Sequence, residues 1–309
     1  MLHDKTSWVK AGGKREEQWP AMEIVLEHGE FRLALMPLLG GSVRSFSWAG
    51  VDILRPAQAG SEASPLETAG FPLFPYSGRI CDGRFDWHGR TIQLEPNFPP
   101  EAHAIHGHAW LNPWTLEDQG PGFVRIAYDH VAGTWPWSYR AAQTFELTDD
   151  GLRLELALTN LSDGPMPAGL GWHPYFPRGD AVLQASVSGI WAAERGALPE
   201  RPSPVTMDAD ISGPVSVDTL ELDNAFSASP ANARIVWPGR GIQVDLESSA
   251  ELGHLVVYIP AGADFFCVEP VSHAPNAVNS ALDRSVTGLR ELAPGETLTA
   301  LIRLKPGRV

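Results

Sequence analysis

The sequence predicts an all-β protein, built as a large antiparallel β-sandwich, and three observations support this fold class. Apolar and polar residues alternate with a period of two in several segments, which places the apolar side chains on one face of a strand. Glycine, proline and aspartate recur at short intervals between these segments, as is typical of turns. No segment shows a sustained helical period.

The individual strands follow from this alternation. In residues 152–159 every second position is leucine, and residues 242–247 alternate in the same way. We expect residues 85–87 to pair with residues 92–94 across a turn at His88 and Gly89. Residues 149–151 and 294–295 have turn compositions, and a further strand is expected at residues 297–304.

Length and composition indicate one large domain. The chain has 309 residues, 43% of them hydrophobic, and includes 11 Trp and 12 Phe, enough for a large core. Residues 1–21 are polar and aperiodic, so we expect an extension outside the fold. Residues 22–309 contain no internal repeat, low-complexity tract or linker, which predicts a single domain there.

Charge and cysteine content exclude several classes of partner. The net charge of −14 disfavours nucleic acid and anionic membrane surfaces, which attract basic proteins. No apolar run is long enough for a membrane span, and Cys81 and Cys267 are too few for a disulfide framework. We therefore expect a cytoplasmic protein.

Four segments interrupt the strand pattern because they are crowded with proline, glycine, histidine and aromatic residues, and each is expected to line a pocket. They are residues 71–80, 102–114, 169–177 and 265–279.

A group of three histidines raises the question of a metal. Imidazole is a common metal ligand, and His103, His106 and His108 lie close together in sequence. A cupin-type site needs a glutamate a few residues after its histidine pair, whereas the next acid is Glu117. The pattern favours hydrogen bonding or core packing for His103 and His108 over a metal site. No metal and no other cofactor is expected.

His173 and Glu269 are the strongest candidates for chemistry. His173 lies between Trp172 and a Pro-Tyr-Phe run, an apolar setting in which an imidazole needs a polar partner. Glu269 follows four apolar residues and precedes Pro270, so we expect it to end a buried strand, where burial raises the pKa of its carboxyl. The alternatives are a core histidine and a glutamate in an ion pair with an arginine.

Five short motifs in order resemble the aldose 1-epimerase (galactose mutarotase) family over residues 22 to 305. The motifs contribute Arg79 of SGRI, His106 of IHGH, His173 of WHPYF, Asp223 of LDNAF and Glu269 of VEP. The resemblance implies a β-sandwich of the galactose mutarotase type and a free sugar as substrate. Gly78 stands where the family commonly has asparagine, which puts the substrate preference in question.

The same resemblance implies the roles of the residues. His173 would be the general acid, Glu269 the general base, and His106 would assist at the reacting oxygens. Arg79 and Asp223 would bind sugar hydroxyls.

An aromatic wall is also expected in a sugar pocket, because aromatic faces pack against the C–H side of a sugar ring. Four tryptophans are candidates, and closeness to a motif favours Trp172 over Trp110, Trp135 and Trp137. Two other functions compete with mutarotation: a non-catalytic sugar-binding protein and a hexose-phosphate 1-epimerase. The second would need further basic residues, such as Arg84, Arg90 or Arg178, in the pocket.

Overall fold

The computed structural model of the chain describes residues 23–57, 64–192 and 198–309. The predicted extension, residues 1–21, lies outside the described residues. In chain order the described strands are β1 Ile24–His28, β2 Phe31–Met36, β3 Ser42–Trp48, β4 Val51–Asp52, β5 Gly70–Leu73, β6 Arg79–Ile80, β7 Arg84–Trp87, β8 Arg90–Gln93, β9 Ala104–Ile105, β10 Thr115–Gly120, β11 Phe123–His130, β12 Tyr139–Thr148, β13 Gly151–Asn160, β14 Met166–Ala168, β15 Gly171–Pro177, β16 Val182–Ala185, β17 Gly189–Trp191, β18 Val215–Ser216, β19 Leu222–Ser227, β20 Ala233–Trp237, β21 Ile242–Ser248, β22 His254–Ile259, β23 Phe265–Val271, β24 Arg290–Leu292 and β25 Thr297–Arg308.

Helical structure in the described part of the chain is limited to short turns. There is one α-helix, α1 Arg284–Thr287. The 3-10 turns are Pro65–Glu67, Cys81–Gly83, Ala109–Leu111, Val217–Thr219, Pro238–Arg240 and Ala277–Asn279.

Two large sheets dominate the structure, as the alternating pattern predicts. A ten-stranded sheet has the order β1-β2-β3-β5-β15-β23-β22-β19-β17, with β4 added on β3, and a nine-stranded sheet has the order β10-β11-β12-β13-β25-β21-β20-β16-β18. Their central strands pair antiparallel. The fold is an antiparallel β-sandwich, which confirms the predicted fold class.

The core contains apolar side chains from both sheets. The four leucines at alternate positions of β13, Leu152 to Leu158, are between 0% and 2% exposed and join a cluster that also contains Trp172 and Phe176 of β15. Burial of a leucine side chain contributes roughly 1.5–3 kcal/mol. Alternation on β13 thus attaches one face of the nine-stranded sheet to the core.

A hairpin forms across the predicted turn at His88 and Gly89. Phe85 lies opposite Ile92 and Trp87 opposite Arg90, so Leu94 lies beyond the paired residues. A two-residue turn with positive φ at His88 and Gly89 fixes this pairing.

All four segments that interrupt the strand pattern contain strands. Residues 70–73, 171–177 and 265–271 form β5, β15 and β23, neighbours near the centre of the ten-stranded sheet, and residues 104–105 form the short β9. The first three strands are buried on both faces. A strand covered on both sides shows no apolar-polar alternation, so periodicity does not identify β5 and β15, whereas the apolar run before Glu269 predicts the buried strand β23.

Candidate active site

A cavity of about 820 Å³ lies against the ten-stranded sheet. His173 and Tyr175, at alternate positions of β15, line the cavity, whereas Trp172, just before them, and Phe176, just after them, belong to the main core. Successive side chains of a strand point to opposite faces. The cavity therefore occupies the face of the sheet opposite the core.

The candidate acid and base lie side by side at this surface. The register of β15 and β23 places His173 opposite Glu269, and His173 Nε2 lies 3.3 Å from Glu269 Oε1. The side chains are 9% and 3% exposed. An ion pair with an arginine was the alternative for Glu269, whereas its nearest charged or imidazole partner among the described residues is His173.

Burial dominates the electrostatics of this pair. It lowers the pKa of His173 from 6.5 to about 3, and the Arg55 charge contributes in the same direction. It raises the pKa of Glu269 well above its ordinary 4.5, with Asp223 adding to the rise and Arg79 opposing it. Both shifts favour the uncharged side chains.

His106 adopts an unusual backbone conformation that turns its ring into the cavity. Its φ is 59° and that of Gly107 is 66°, a left-handed conformation that is costly outside glycine. The Nδ1 atom accepts a hydrogen bond from the backbone N–H of Gly78 at 3.1 Å. Burial, with His173 and Arg79, lowers the pKa of His106 well below 6.5. A neutral imidazole that accepts at Nδ1 carries its proton at Nε2, so His106 offers one N–H donor.

Arg79 is oriented by two carboxylates. Its Nε atom donates to Glu101 Oε2 at 2.8 Å, and its Nη2 atom lies 3.9 Å from Asp223 Oδ2. Glu101 also accepts a hydrogen bond from the backbone N–H of His103 at 3.2 Å. The structure thus brings five predicted residues to one cavity: Arg79, His106, His173, Asp223 and Glu269.

Trp172 is not among the residues that line the cavity. Its side chain is 0% exposed and packs in the main core. It neighbours His173 in sequence, and for that reason it points to the other face of β15. The expectation that Trp172 binds sugar is therefore wrong in position. Of the other candidates, Trp110 lines the cavity, while Trp135 and Trp137 belong to the core.

Gly78 uses both its backbone groups to hold His106. Its N–H donates to the ring, and its carbonyl accepts from the His106 N–H at 2.8 Å. With φ at 62°, a Cβ at this position would have Pro275 as its neighbour at 3.8 Å. The cavity therefore has room for a side chain at position 78, and a missing hydrogen bond to the sugar stays a prediction.

The three histidines of residues 103–108 do not converge. His103 Nδ1 accepts from the N–H of Asp82 at 3.0 Å, and His108 Nε2 lies 2.8 Å from His130 Nδ1. Hydrogen bonding was the favoured interpretation for His103 and His108, and both make such bonds. The histidine, cysteine and carboxylate groups that do converge among the described residues include neither His106 nor His108.

Phe71 and Tyr175, which line the cavity, lie in two of the segments expected to line a pocket. Phe71 and Tyr175 stack on the His173 ring at centroid distances of 4.6 and 4.9 Å. The Arg55 guanidinium lies over Tyr175 at 4.4 Å and donates to the carbonyls of Leu66 and Thr68. Tyr175 could have been found two positions along the strand from His173. Arg55 and Glu101 gave no sequence signal, since only the fold brings them to the cavity.

These features define the class of the protein: a β-sandwich of the galactose mutarotase type with a buried imidazole-carboxyl pair in a surface cavity. A family model for aldose 1-epimerase matches residues 22–305. The chain belongs to the aldose 1-epimerase family.

Similar proteins agree with this assignment. The chain is 32% identical over 290 residues to the uncharacterized protein YphB of Escherichia coli (strain K12), covering 91% of this chain and 97% of YphB. The crystal structure of a candidate aldose 1-epimerase from Escherichia coli K12 has a TM-score of 0.84 at 30% identity, covering 93% of this chain and 99% of that one. A galactose mutarotase-like protein from Clostridium acetobutylicum has a TM-score of 0.85 at 22% identity, with 93% and 95% of the chains covered, a likeness in fold.

Within the described residues, no helix has the length and apolar character needed to cross a membrane.

Proposed function

We propose that this chain is an aldose 1-epimerase, or mutarotase, that interconverts the α and β anomers of a free aldose. The observation that carries the proposal is the 3.3 Å contact between His173 Nε2 and Glu269 Oε1 at the surface of a cavity of about 820 Å³. This volume lies within the usual range for small-molecule sites. Family membership supports the same reaction.

The reaction needs one proton acceptor and one proton donor. Glu269 takes the proton of the anomeric hydroxyl while His173 gives a proton to the ring oxygen, so the bond from the anomeric carbon to the ring oxygen breaks and a carbonyl forms. After rotation about the bond between C1 and C2, the ring oxygen attacks the other face of the carbonyl, and both protons return. General acid and base groups each contribute about 10²- to 10⁴-fold to such transfers.

The protonation state of the pair follows from its burial. The pKa of His173 is lowered to about 3 and that of Glu269 is raised well above 4.5. Between about pH 3 and the raised pKa of Glu269, His173 is neutral and Glu269 is protonated, so the pair holds one transferable proton. Transfer of that proton from Glu269 to His173 generates the acid and the base together, and Arg79 favours this ionised form because its charge lowers the pKa of Glu269.

The surrounding residues orient the sugar. His106 offers its Nε2–H to a reacting oxygen as a neutral donor. The Arg79 guanidinium donates to sugar hydroxyls, and Asp223, whose side chain is 59% exposed, accepts from them. Trp110 stacks on Phe71 at 5.1 Å and gives the cavity an apolar wall for the C–H side of the ring.

A phosphorylated sugar remains the second candidate substrate because of Arg55. This residue lines the cavity, and it has no ion pair among the described residues, which comprise 23–57, 64–192 and 198–309. The other arginines considered for a phosphate, Arg84, Arg90 and Arg178, are not among the cavity-lining residues.

Cytoplasmic location stays a prediction.

A panel of sugars tests the proposal. Anomer exchange is measured by NMR and polarimetry on neutral aldoses, deoxy sugars and sugar phosphates, starting from the pure anomers. We expect acceleration of at least one neutral aldose. Binding of sugars without acceleration of any would contradict catalysis and support a sugar-binding protein, whereas acceleration of phosphates alone would support the second substrate class.

A further inference from the structure

A third metal-binding group, the Cys267 thiol, lies beside the acid-base pair. The donor atoms of His173, Cys267 and Glu269 all lie within 4.8 Å of one another. Cys267 and Glu269 are two residues apart on β23 and so share a face, and His173 projects from the neighbouring β15. All three side chains are buried. The mechanism above does not use the thiol.

We propose that this group is a binding site for a soft divalent cation, with Zn²⁺ as the best fit, and that the bound cation inhibits the enzyme. Imidazole, thiolate and carboxylate are the protein ligands that Zn²⁺ prefers, and three protein ligands with one open position is a common arrangement. The inhibition, unlike the binding, rests on the proposed function. The cation would occupy the two groups that transfer protons.

The spacing of the donors suits tetrahedral coordination. With metal–nitrogen and metal–oxygen bonds of about 2.0–2.2 Å, a tetrahedral angle separates the two donors by about 3.4 Å, close to the 3.3 Å between His173 Nε2 and Glu269 Oε1. The Cys267 sulfur lies at most 4.8 Å from each and needs to move by at most about 1 Å to complete the site, since metal–sulfur bonds are about 2.3 Å.

The charged side chains that line the cavity act on a cation in opposite directions. Asp223 attracts the cation, while Arg55 and Arg79 oppose it.

A second donor group, at Cys81, Asp82 and His103, provides a matched control. Its donor atoms also lie within 4.8 Å of one another, but His103 Nδ1 already accepts the Asp82 N–H at 3.0 Å. Coordination through Nδ1 would break that bond. The group is also more exposed, so a cation there would have to compete with water.

The test uses Zn²⁺ for affinity and inhibition, and Co²⁺ for its thiolate charge-transfer absorption. Calorimetry measures the affinity. We expect one tight Zn²⁺ site per chain and loss of anomer exchange that a chelator restores. Cys81→Ala is expected to behave as the parent.

Cys267→Ala should abolish the cobalt-thiolate band and weaken Zn²⁺ inhibition by at least tenfold, while exchange without metal stays near the parent rate. Cys267→Ser keeps the size of the side chain and replaces the thiol by a hydroxyl, and it should also lose the band; melting temperatures show whether each variant is folded. Absence of saturable binding to the parent, or a band that Cys81→Ala removes and Cys267→Ala retains, would overturn the proposal. Binding and absorption are read without any sugar, so a parent that binds Zn²⁺ but accelerates no sugar would contradict the proposed function and leave the metal site standing.

Discussion

Glu101 is expected to act as a positioning residue for Arg79. Its carboxylate accepts the Arg79 Nε–H at 2.8 Å and leaves the terminal nitrogens of the guanidinium for sugar hydroxyls. A hydrogen bond between charged groups contributes about 1.5–3 kcal/mol. Because the two side chains are 35% and 21% exposed, solvent screening reduces this to about 1–1.5 kcal/mol.

Glu101→Gln keeps the size of the side chain and removes its charge. Loss of this interaction leaves the Arg79 guanidinium less well ordered against the sugar and so weakens binding. A loss of about 1–1.5 kcal/mol should raise KM about five- to twelvefold, because 1.4 kcal/mol corresponds to a factor of ten. The value of kcat and its pH profile should hardly change, since the acid-base pair is untouched.

Steady-state anomer exchange, followed by NMR at several sugar concentrations, separates KM from kcat. Glu155→Gln is the matched control: Glu155 pairs with Arg153 at 3.0 Å, with side chains 32% and 31% exposed, and it is not a cavity residue. An equal KM for Glu101→Gln and the parent, or a fall in kcat as large as the fall in kcat/KM, would refute the positioning role.

Three further predictions follow from the buried groups and from one glycine. The acidic limb of the pH-rate profile should lie near pH 3 rather than near 6.5, the ordinary pKa of histidine, because burial lowers the pKa of His173 to about 3. A profile in which the rate falls already as the pH drops through 6.5 would contradict the assignment. Burial lowers the pKa of His108 to about 3 and those of His254 and His273 to about 4. The free energy of unfolding should therefore be fully retained above pH 6.5 and should decrease as the pH falls towards 4, by roughly 1.4 kcal/mol per pH unit for each additional proton that the unfolded chain binds. Denaturant titrations that show no such slope would count against buried neutral histidines. Gly107→Ala should destabilise the fold by about 1–3 kcal/mol and displace His106, because φ is +66° and the new Cβ would overlap the Phe74 carbonyl. The control is Gly29→Ala, where φ is +57° and nothing lies within 4 Å of the new Cβ. A comparison of the two melting temperatures separates the cost of the backbone conformation from that of the overlap.

Sequence periodicity identified strands that have one buried and one exposed face, and it failed for strands buried on both. The leucines of β13 alternate with polar residues, so their buried face is evident, whereas β5 and β15 are covered on both sides and show no alternation. β23 is also covered on both sides, and only the apolar run before Glu269 indicates it. Those same apolar surroundings nevertheless singled out His173 and Glu269 as unusual polar groups.

The error at Trp172 and the omission of Glu101 have different causes. Closeness in sequence favoured Trp172, but within a strand an adjacent residue faces the other way, so position 175 was the better choice. Glu101 lies 22 residues from Arg79 in sequence, and only the tertiary structure pairs them. Such long-range ion pairs leave no local pattern in the sequence.

The most direct test of the central claim is anomer exchange by Glu269→Gln. The substitution keeps the shape and hydrogen-bonding reach of the side chain opposite His173 but removes the proton acceptor, so exchange should fall at least about 10²-fold, while sugar binding, measured by calorimetry, and the melting temperature stay near the parent values. A folded Glu269→Gln variant that binds sugar and exchanges anomers at close to the parent rate would contradict the account.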